Sequence, residues 1–192
     1  SLREAIIQTN AGAGGDTIVL AAGTYLLDDV GSGEDSALTG DLDLNQSVTI
    51  TGAGADVTTI DATGLGDRVF ELWTGTATMS GLTVSGGSES FGGGFDTQIG
   101  TTLNLTDVEI TNNNVTNSGA AIYNRGTLNF DRVTIAGNTA TLQGGGIFFD
   151  LAGSSTLTNV TISGNSATDG GGLFNFNSNI TLVNSTIATN SS

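Results

Sequence analysis

The sequence contains no cysteine, no proline, no histidine and no lysine, and it has only four arginines among 192 residues. Without cysteine a disulfide framework is excluded, and thiols say nothing about the redox compartment. No segment approaches the ~18 consecutive apolar residues of a transmembrane helix, so we expect no membrane span in this chain. Without histidine and lysine, two common catalytic acid–base groups are missing.

The charge is strongly one-sided, with 19 acidic against 4 basic residues and a formal net charge of −15. Proteins that bind nucleic acid neutralise phosphates with lysine and arginine, so this composition predicts no nucleic-acid partner. It also argues against binding to anionic membrane surfaces. The acidity is compatible with divalent cations or simply with solubility. No cofactor is required, and calcium is the one candidate.

A short β-like run followed by asparagine returns about every 25 residues, an interval typical of a solenoid with one coil per repeat. The repeating valines are Val108, Val133 and Val160, and the repeating asparagines are Asn113, Asn138, Asn165 and Asn190. Asparagine tolerates left-handed backbone, and its amide can bond to the same residue one coil away. We therefore interpret the valines and asparagines as a structural ladder.

These short strands run in the same direction at each pass, with no helix between them. The pattern predicts an all-β fold, a right-handed single-stranded parallel β-helix of about seven coils forming one domain over residues 1–192. Residues 1–10 are predicted to form a short capping α-helix, with Ser1 and Glu4 as a capping box. Residues 28–43 are predicted to be an acidic loop or insertion, and the most regular coils span 93–192.

Several segments resemble a known family. They are SLREAI at 1–6, GDTIVLAAGTY at 15–25, GEDSALTGDLDL at 33–44, TITGAGADVTTIDATG at 49–64, and the GGGI…TLTNVTISGNSA coils. They are similar to bacterial CSLREA-type β-helix repeat proteins and their polymorphic-outer-membrane-protein-like relatives, although the leading cysteine is lacking. The resemblance implies a secreted or surface-displayed bacterial β-helix with an adhesive or structural role, and it implies no catalytic residues.

Asp35, Asp41 and Asp43 are the candidate metal ligands. They lie in a glycine-containing acidic segment, and hard carboxylate oxygens suit Ca²⁺. No EF-hand spacing and no calcium-binding nonapeptide repeat accompanies them. A solvated acidic loop is the alternative interpretation.

Asp107 and Arg132 both directly precede an inward-facing valine, so neighbouring coils should place them side by side on the outer surface. An exposed ion pair is the simpler interpretation. The alternative is half of a carboxylate–arginine site in a polysaccharide-cleaving β-helix.

Aromatic residues cluster after the glycine triplets, at Tyr123, Phe148, Phe149, Phe174 and Phe176. Rings that point inward would pack in the core, and rings that point outward could stack on sugars. Periodicity does not decide between the two, because the run GIFFD is apolar at consecutive positions.

Three function classes remain. The first is a non-enzymatic extracellular or cell-surface structural or adhesive segment, which could also be a head-to-tail filament subunit that self-associates through its coil ends. Its partner would be a surface glycan or a host receptor. The second is a polysaccharide lyase or glycoside hydrolase. Hydrolysis needs two carboxylates flanking one bond, and an outward cluster of three or more acids on adjacent coils in one groove would argue for this class. The third is a carbohydrate- or calcium-binding module, for which outward aromatics would argue.

Overall fold

The computed structural model describes residues 1–192, which form one helix and nineteen short strands. The helix α1 comprises Leu2–Ala11. In chain order the strands are β1 (Asp16–Val19), β2 (Gly23–Leu26), β3 (Leu42–Leu44), β4 (Val48–Thr51), β5 (Thr58–Asp61), β6 (Phe70–Leu72), β7 (Thr76–Ser85), β8 (Phe95–Thr97), β9 (Thr102–Thr111), β10 (Asn114–Val115), β11 (Ile122–Asn124), β12 (Thr127–Ala136), β13 (Thr139–Ala140), β14 (Ile147–Asp150), β15 (Ser155–Thr158), β16 (Thr161–Ser163), β17 (Leu173–Phe176), β18 (Ile180–Val183) and β19 (Thr186–Ala188). The predicted acidic segment 28–43 therefore ends inside β3.

Equivalent strands of successive coils pair in parallel and build three faces. The first face contains β1, β4, β15, β18 and the first halves of β7, β9 and β12; the second contains β2, β5, β16, β19 and the second halves; the third contains β3, β6, β8, β11, β14 and β17. The third face has six layers and the other two have seven. The predicted parallel β-helix is confirmed, with about six complete turns instead of about seven.

The core is a set of apolar columns that run along the axis. Val108 pairs with Leu82 in one neighbouring coil and with Val133 in the other. Val160 occupies the next position in that column, directly before the Thr134–Thr161 pair. All four apolar residues are buried. Because alternate residues of a strand face opposite sides, the residues between them form outward columns of their own.

Asparagines form a continuous hydrogen-bonded ladder beside this core. Asn113 donates from its backbone N and from Nδ2 to Oδ1 of Asn138, at 3.0 Å each. Asn138 donates to Asn165 in the same way, and Asn165 to Asn190. The ladder satisfies polar groups that the turn would otherwise leave unpaired inside the molecule.

The corner between the first and second faces is made by single residues in left-handed conformation. Asp107 has φ 54°, Arg132 φ 55° and Asn159 φ 54°, each one coil from the next. The first glycine of each triplet makes another corner, and Gly144 has φ 62°. A Cβ on the following Gly145 would clash with the backbone carbonyl oxygen of Ser166. The glycine triplets are thus explained by backbone geometry.

The two ends of the solenoid differ. At the amino end α1 begins with the predicted capping box of Ser1 and Glu4, and its Ile6 is fully buried in the core. At the carboxyl end, Leu182 is 46% exposed, whereas Leu157, which pairs with it one coil earlier, is 0% exposed. The helix therefore covers one end of the apolar columns, and the last coil leaves their other end open.

Candidate functional site

One outward column of the third face carries the unusual chemistry of this chain. Its members come from six successive strands and pair in register: Asp43, Glu71, Asp96, Tyr123, Phe148 and Phe174. We call this set the outer column. Three carboxylates occupy its amino-terminal half, and three aromatic rings occupy its carboxyl-terminal half.

The alternation of each strand places these side chains outside the core. In β3 the buried Leu42 and Leu44 flank Asp43 and point inward, so Asp43 projects to the opposite side. Asp43 is nevertheless 0% exposed, because residues 28–41, which we call the cap loop, fold back over it. The backbone N of Ala37 donates to Oδ2 of Asp43 at 2.8 Å.

The cap loop is fixed to α1 by Arg3. This buried guanidinium donates to the backbone carbonyls of Ala37, Gly40 and Asp41. The loop therefore brings Asp41 over the third face, next to Asp43 and Glu71. One carboxylate oxygen from each of these three residues lies within 4.8 Å of the other two.

Two further buried carboxylates, Asp67 and Asp96, surround the same point. We call Asp41, Asp43, Asp67, Glu71 and Asp96 the acidic cluster. Two arginine side chains contact the cluster. Nη1 of Arg68 pairs with Glu71 and lies 3.4 Å from Oδ2 of Asp96. Nη2 of the second arginine, Arg125, lies 3.4 Å from Oδ1 of Asp96. Two positive charges thus face five carboxyl groups.

The carboxylates differ in their hydrogen bonds. Asp43 accepts from Nε1 of Trp73 at 3.1 Å in addition to the bond from Ala37. Glu71 accepts from Nε2 of Gln98 at 2.6 Å. Asp41 accepts no hydrogen bond; its closest positive group is Nε of Arg68, 3.7 Å from Oδ2. That Nε atom is itself buried and has no hydrogen-bond partner.

Burial and mutual repulsion shift the titration of these groups. Burial, followed by the negative charges of Asp43 and Asp67, raises the pKa of Asp41 to about 8. Burial raises the pKa of Glu71 to about 7, although the charge of Arg68 acts in the opposite direction. Burial also raises the pKa of Asp96 against the attraction of both arginines. Charging the whole cluster is therefore costly in the folded state.

The aromatic half of the outer column needs no counter-charges. The rings of Tyr123 and Phe148 stack with centroids 5.2 Å apart and an interplanar angle of 1°, and Phe148 and Phe174 stack at 5.3 Å and 1°. Phe91 contacts Tyr123 edge-on at 4.9 Å. We call Tyr123, Phe148 and Phe174 the aromatic stack. The middle ring, Phe148, is stacked on both faces and offers only its edge to a ligand.

Other residues singled out in the sequence lie apart from this cluster. Asp35 is exposed in the cap loop, where its backbone carbonyl accepts a bond from Asn45; Glu71 occupies the position beside Asp41 and Asp43. Asp107 and Arg132 form an exposed two-bond pair at 2.7 and 2.9 Å on another face. Phe149 is buried, and Phe176 is exposed.

Glu71, Asp96 and Arg68 were missed by sequence reasoning. The available signal was spacing: Asp43, Glu71, Asp96 and Tyr123 are 28, 25 and 27 residues apart, the same interval as the valine column.

The chain is a parallel β-solenoid, because equivalent strands of successive coils pair in parallel on three faces. The family model described as "right handed beta helix region" matches residues 70–192. This is more than half of the chain, which therefore belongs to the right-handed β-helix family. Neither the comparison with curated proteins nor the comparison with solved structures found a match. The one helix, α1, falls short of the apolar length needed to cross a bilayer.

Proposed function

We propose that the chain is a rigid, non-enzymatic structural or adhesive segment of a bacterial extracellular or cell-surface protein. The observation that carries this proposal is the enclosure of the acidic cluster. The tightest set of carboxylates is buried beneath the cap loop, with Asp43 0% exposed. The open recess that contains Asp56, Asp107 and Glu109 has its Asp107 held by two hydrogen bonds from Arg132. The side chains that solvent reaches along the first face are mostly threonine and asparagine.

Restricted access to the acidic cluster argues against an enzymatic role for these carboxylates. Glycoside hydrolysis needs two carboxyl groups on either side of a sugar bond, about 5–9.5 Å apart with room for the substrate between them. Asp43, Glu71 and Asp96 do stand on adjacent coils, as such an enzyme would require, but Arg68 and the cap loop fill the space above them. The recess on the first face that includes Asn104, Asn129 and Asp131 is open and holds no converging pair of acids.

The aromatic stack gives little support to sugar binding. A sugar ring stacks on the face of an aromatic ring, and the faces of Phe148 are covered on both sides by Tyr123 and Phe174. We propose that this stack is a structural continuation of the coil-to-coil packing. The partner of an adhesive segment would then be a surface glycan or host receptor that contacts the outer faces.

The finer family assignment supports the proposed location. The segments at 1–6, 15–25, 33–44 and 49–64 resemble CSLREA-type surface proteins, which implies export from a bacterial cell. Self-association through the coil ends also remains a prediction. A second copy stacked head-to-tail would meet α1 at the amino end, and α1 already covers the apolar columns there.

The test is product release from pectin, alginate and neutral glycans by the purified chain, with Glu71→Gln as the matched variant. We expect no product above background from either protein. Release of product by the wild type that disappears in Glu71→Gln would contradict the proposal. Sedimentation across a wide concentration range would separately detect head-to-tail assembly.

A further inference from the structure

We propose that Asp41, Asp43 and Glu71 bind one Ca²⁺ ion, which fastens the cap loop to the third face of the solenoid. This goes beyond the proposed structural role and does not depend on it. Oxygens bound to Ca²⁺ lie 2.3–2.6 Å from the ion, so two such oxygens are at most about 4.6–5.2 Å apart. The three carboxylate oxygens lie within 4.8 Å of one another. At that upper limit an ion at their centre would be about 2.8 Å from each, so one ion binds all three once the oxygens move inward by a few tenths of an ångström.

The state of Asp41 is the independent observation that points to a ligand. Its side chain is 7% exposed, and its carboxylate accepts no hydrogen bond. A buried carboxylate without a donor is costly, and a bound cation removes that cost. Asp43 and Glu71 already have donors in Trp73 and Gln98, whereas the charge partner of Asp41 is Nε of Arg68 at 3.7 Å, beyond hydrogen-bond distance.

The negative charge of the acidic cluster is compensated least near Asp41. Arg68 directs Nη1 toward Glu71 and Asp96, and Arg125 also contacts Asp96. Toward Asp41, Arg68 presents only Nε, at 3.7 Å. Five carboxylates against two guanidinium groups leave an excess of three negative charges when all are ionised. One divalent cation reduces that excess to one.

The ligand set favours Ca²⁺ over Mg²⁺. All three ligands are carboxylate oxygens, and their placement on a loop and two strands follows the coil spacing, which imposes no octahedral arrangement. Ca²⁺ accepts irregular geometry with six to eight oxygens, whereas Mg²⁺ requires near-ideal octahedral coordination at shorter distances. We expect a dissociation constant of about 0.1–1 mM, the range of extracellular calcium modules.

Trp73 allows a direct test, because it is the only tryptophan of the chain and its Nε1 lies 3.1 Å from Oδ1 of Asp43. Tb³⁺ replaces Ca²⁺ at oxygen sites and emits when a nearby tryptophan is excited. We expect Trp73-sensitised Tb³⁺ emission that added Ca²⁺ reverses, and a rise in melting temperature with Ca²⁺ but not with equal Mg²⁺. Absence of both signals, or an equal response to Mg²⁺, would overturn the assignment.

Asp41→Asn and Glu71→Gln are the test variants, and Asp35→Asn is the matched control from the same acidic loop. We expect at least about tenfold weaker Tb³⁺ and Ca²⁺ binding in the two test variants and unchanged binding in the control. In EDTA, Asp41→Asn should melt at or above the wild-type temperature, because it removes a buried charge. Binding that survives in both test variants, or is lost in Asp35→Asn, would contradict the proposal.

Discussion

The two halves of the outer column share one backbone geometry and differ in chemistry. Asp43, Glu71 and Asp96 stack as carboxylates, whereas the aromatic stack continues the same positions with rings about 5 Å apart. Arg125 marks the boundary, since it contacts Asp96 and lies 5.4 Å over the ring of Tyr123.

This difference indicates that the buried apolar columns determine how the strands of successive coils align, whereas the side chains of the outer column do not. Phe70 and Phe95 stack inside the acidic half, and Ile122 and Ile147 continue that inner position in the aromatic half. Identical outer side chains repeated at coil spacing attract each other when they are aromatic and repel each other when they are charged. The acidic half therefore depends on Arg68, Arg125 and, in our proposal, on a bound ion.

Arg68→Met should have the largest effect on stability, because it removes the positive charge at the centre of the acidic half and keeps an unbranched side chain. We expect a loss of about 3–5 kcal/mol in unfolding free energy at pH 8, from uncompensated buried carboxylates. The measurement is denaturant unfolding at pH 8 and pH 5. The loss should shrink at pH 5, where Asp41 and Glu71, with pKa values raised to about 8 and about 7, hold protons. Equal losses at both pH values would argue against a charge effect.

Phe148→Ala tests the aromatic half. Phe148 is 8% exposed between two stacked rings, and we expect a loss of about 3 kcal/mol from lost burial and stacking. The control is Phe176→Ala, since Phe176 is 53% exposed and should cost well under half as much. The loss at Phe148 should be the same at pH 5 and pH 8, in contrast to Arg68→Met. Similar costs for Phe148 and Phe176 would mean that the stack contributes little.

The pH dependence of the unmodified chain in EDTA tests the charge effect in the acidic half without a substitution. Because the pKa of Asp41 is raised from 3.8 to about 8, the folded state keeps a proton that the unfolded state loses between these values. The free energy of unfolding should therefore fall as pH rises from 5 to 9, by an amount on the order of 4 kcal/mol. Asp41→Asn should flatten this dependence. A free energy of unfolding that rises between pH 5 and pH 9 would show that ionisation of the acidic cluster does not destabilise the folded state.

The sequence was sufficient to predict the parts of the molecule that repeat regularly. The interval between Val108, Val133 and Val160 predicts the stacked coils, and the pairing of Val108 with Val133 bears this out. Ser1 and Glu4 predict the start of α1, which the capping box confirms. Both inferences rest on local or strictly periodic physics.

The acidic cluster was harder to predict because its members come from an irregular part of the chain. The cap loop interrupts the first coil between β2 and β3. Nearness in sequence therefore favoured Asp35 as a companion of Asp41 and Asp43. Glu71 reaches them only through the pairing of β3 with β6, 28 residues farther on. The aromatic run was ambiguous for a related reason: only the pairing of Tyr123 with Phe148 shows that Phe148 faces outward and Phe149 inward.

Within residues 1–192 the apolar columns are covered by α1 at one end and partly exposed in the last coil, and this difference should affect local opening. With α1 in place, the first coil is a finished template, and each later coil can add to the edge before it in the order in which it is synthesised. Local unfolding should begin in β18 and β19 of this chain, because each pairs with a strand on one side only. Their apolar residues Leu182 and Ile187 are also partly exposed to solvent. Amide hydrogen exchange should accordingly be fastest in these strands and slow progressively toward the middle coils.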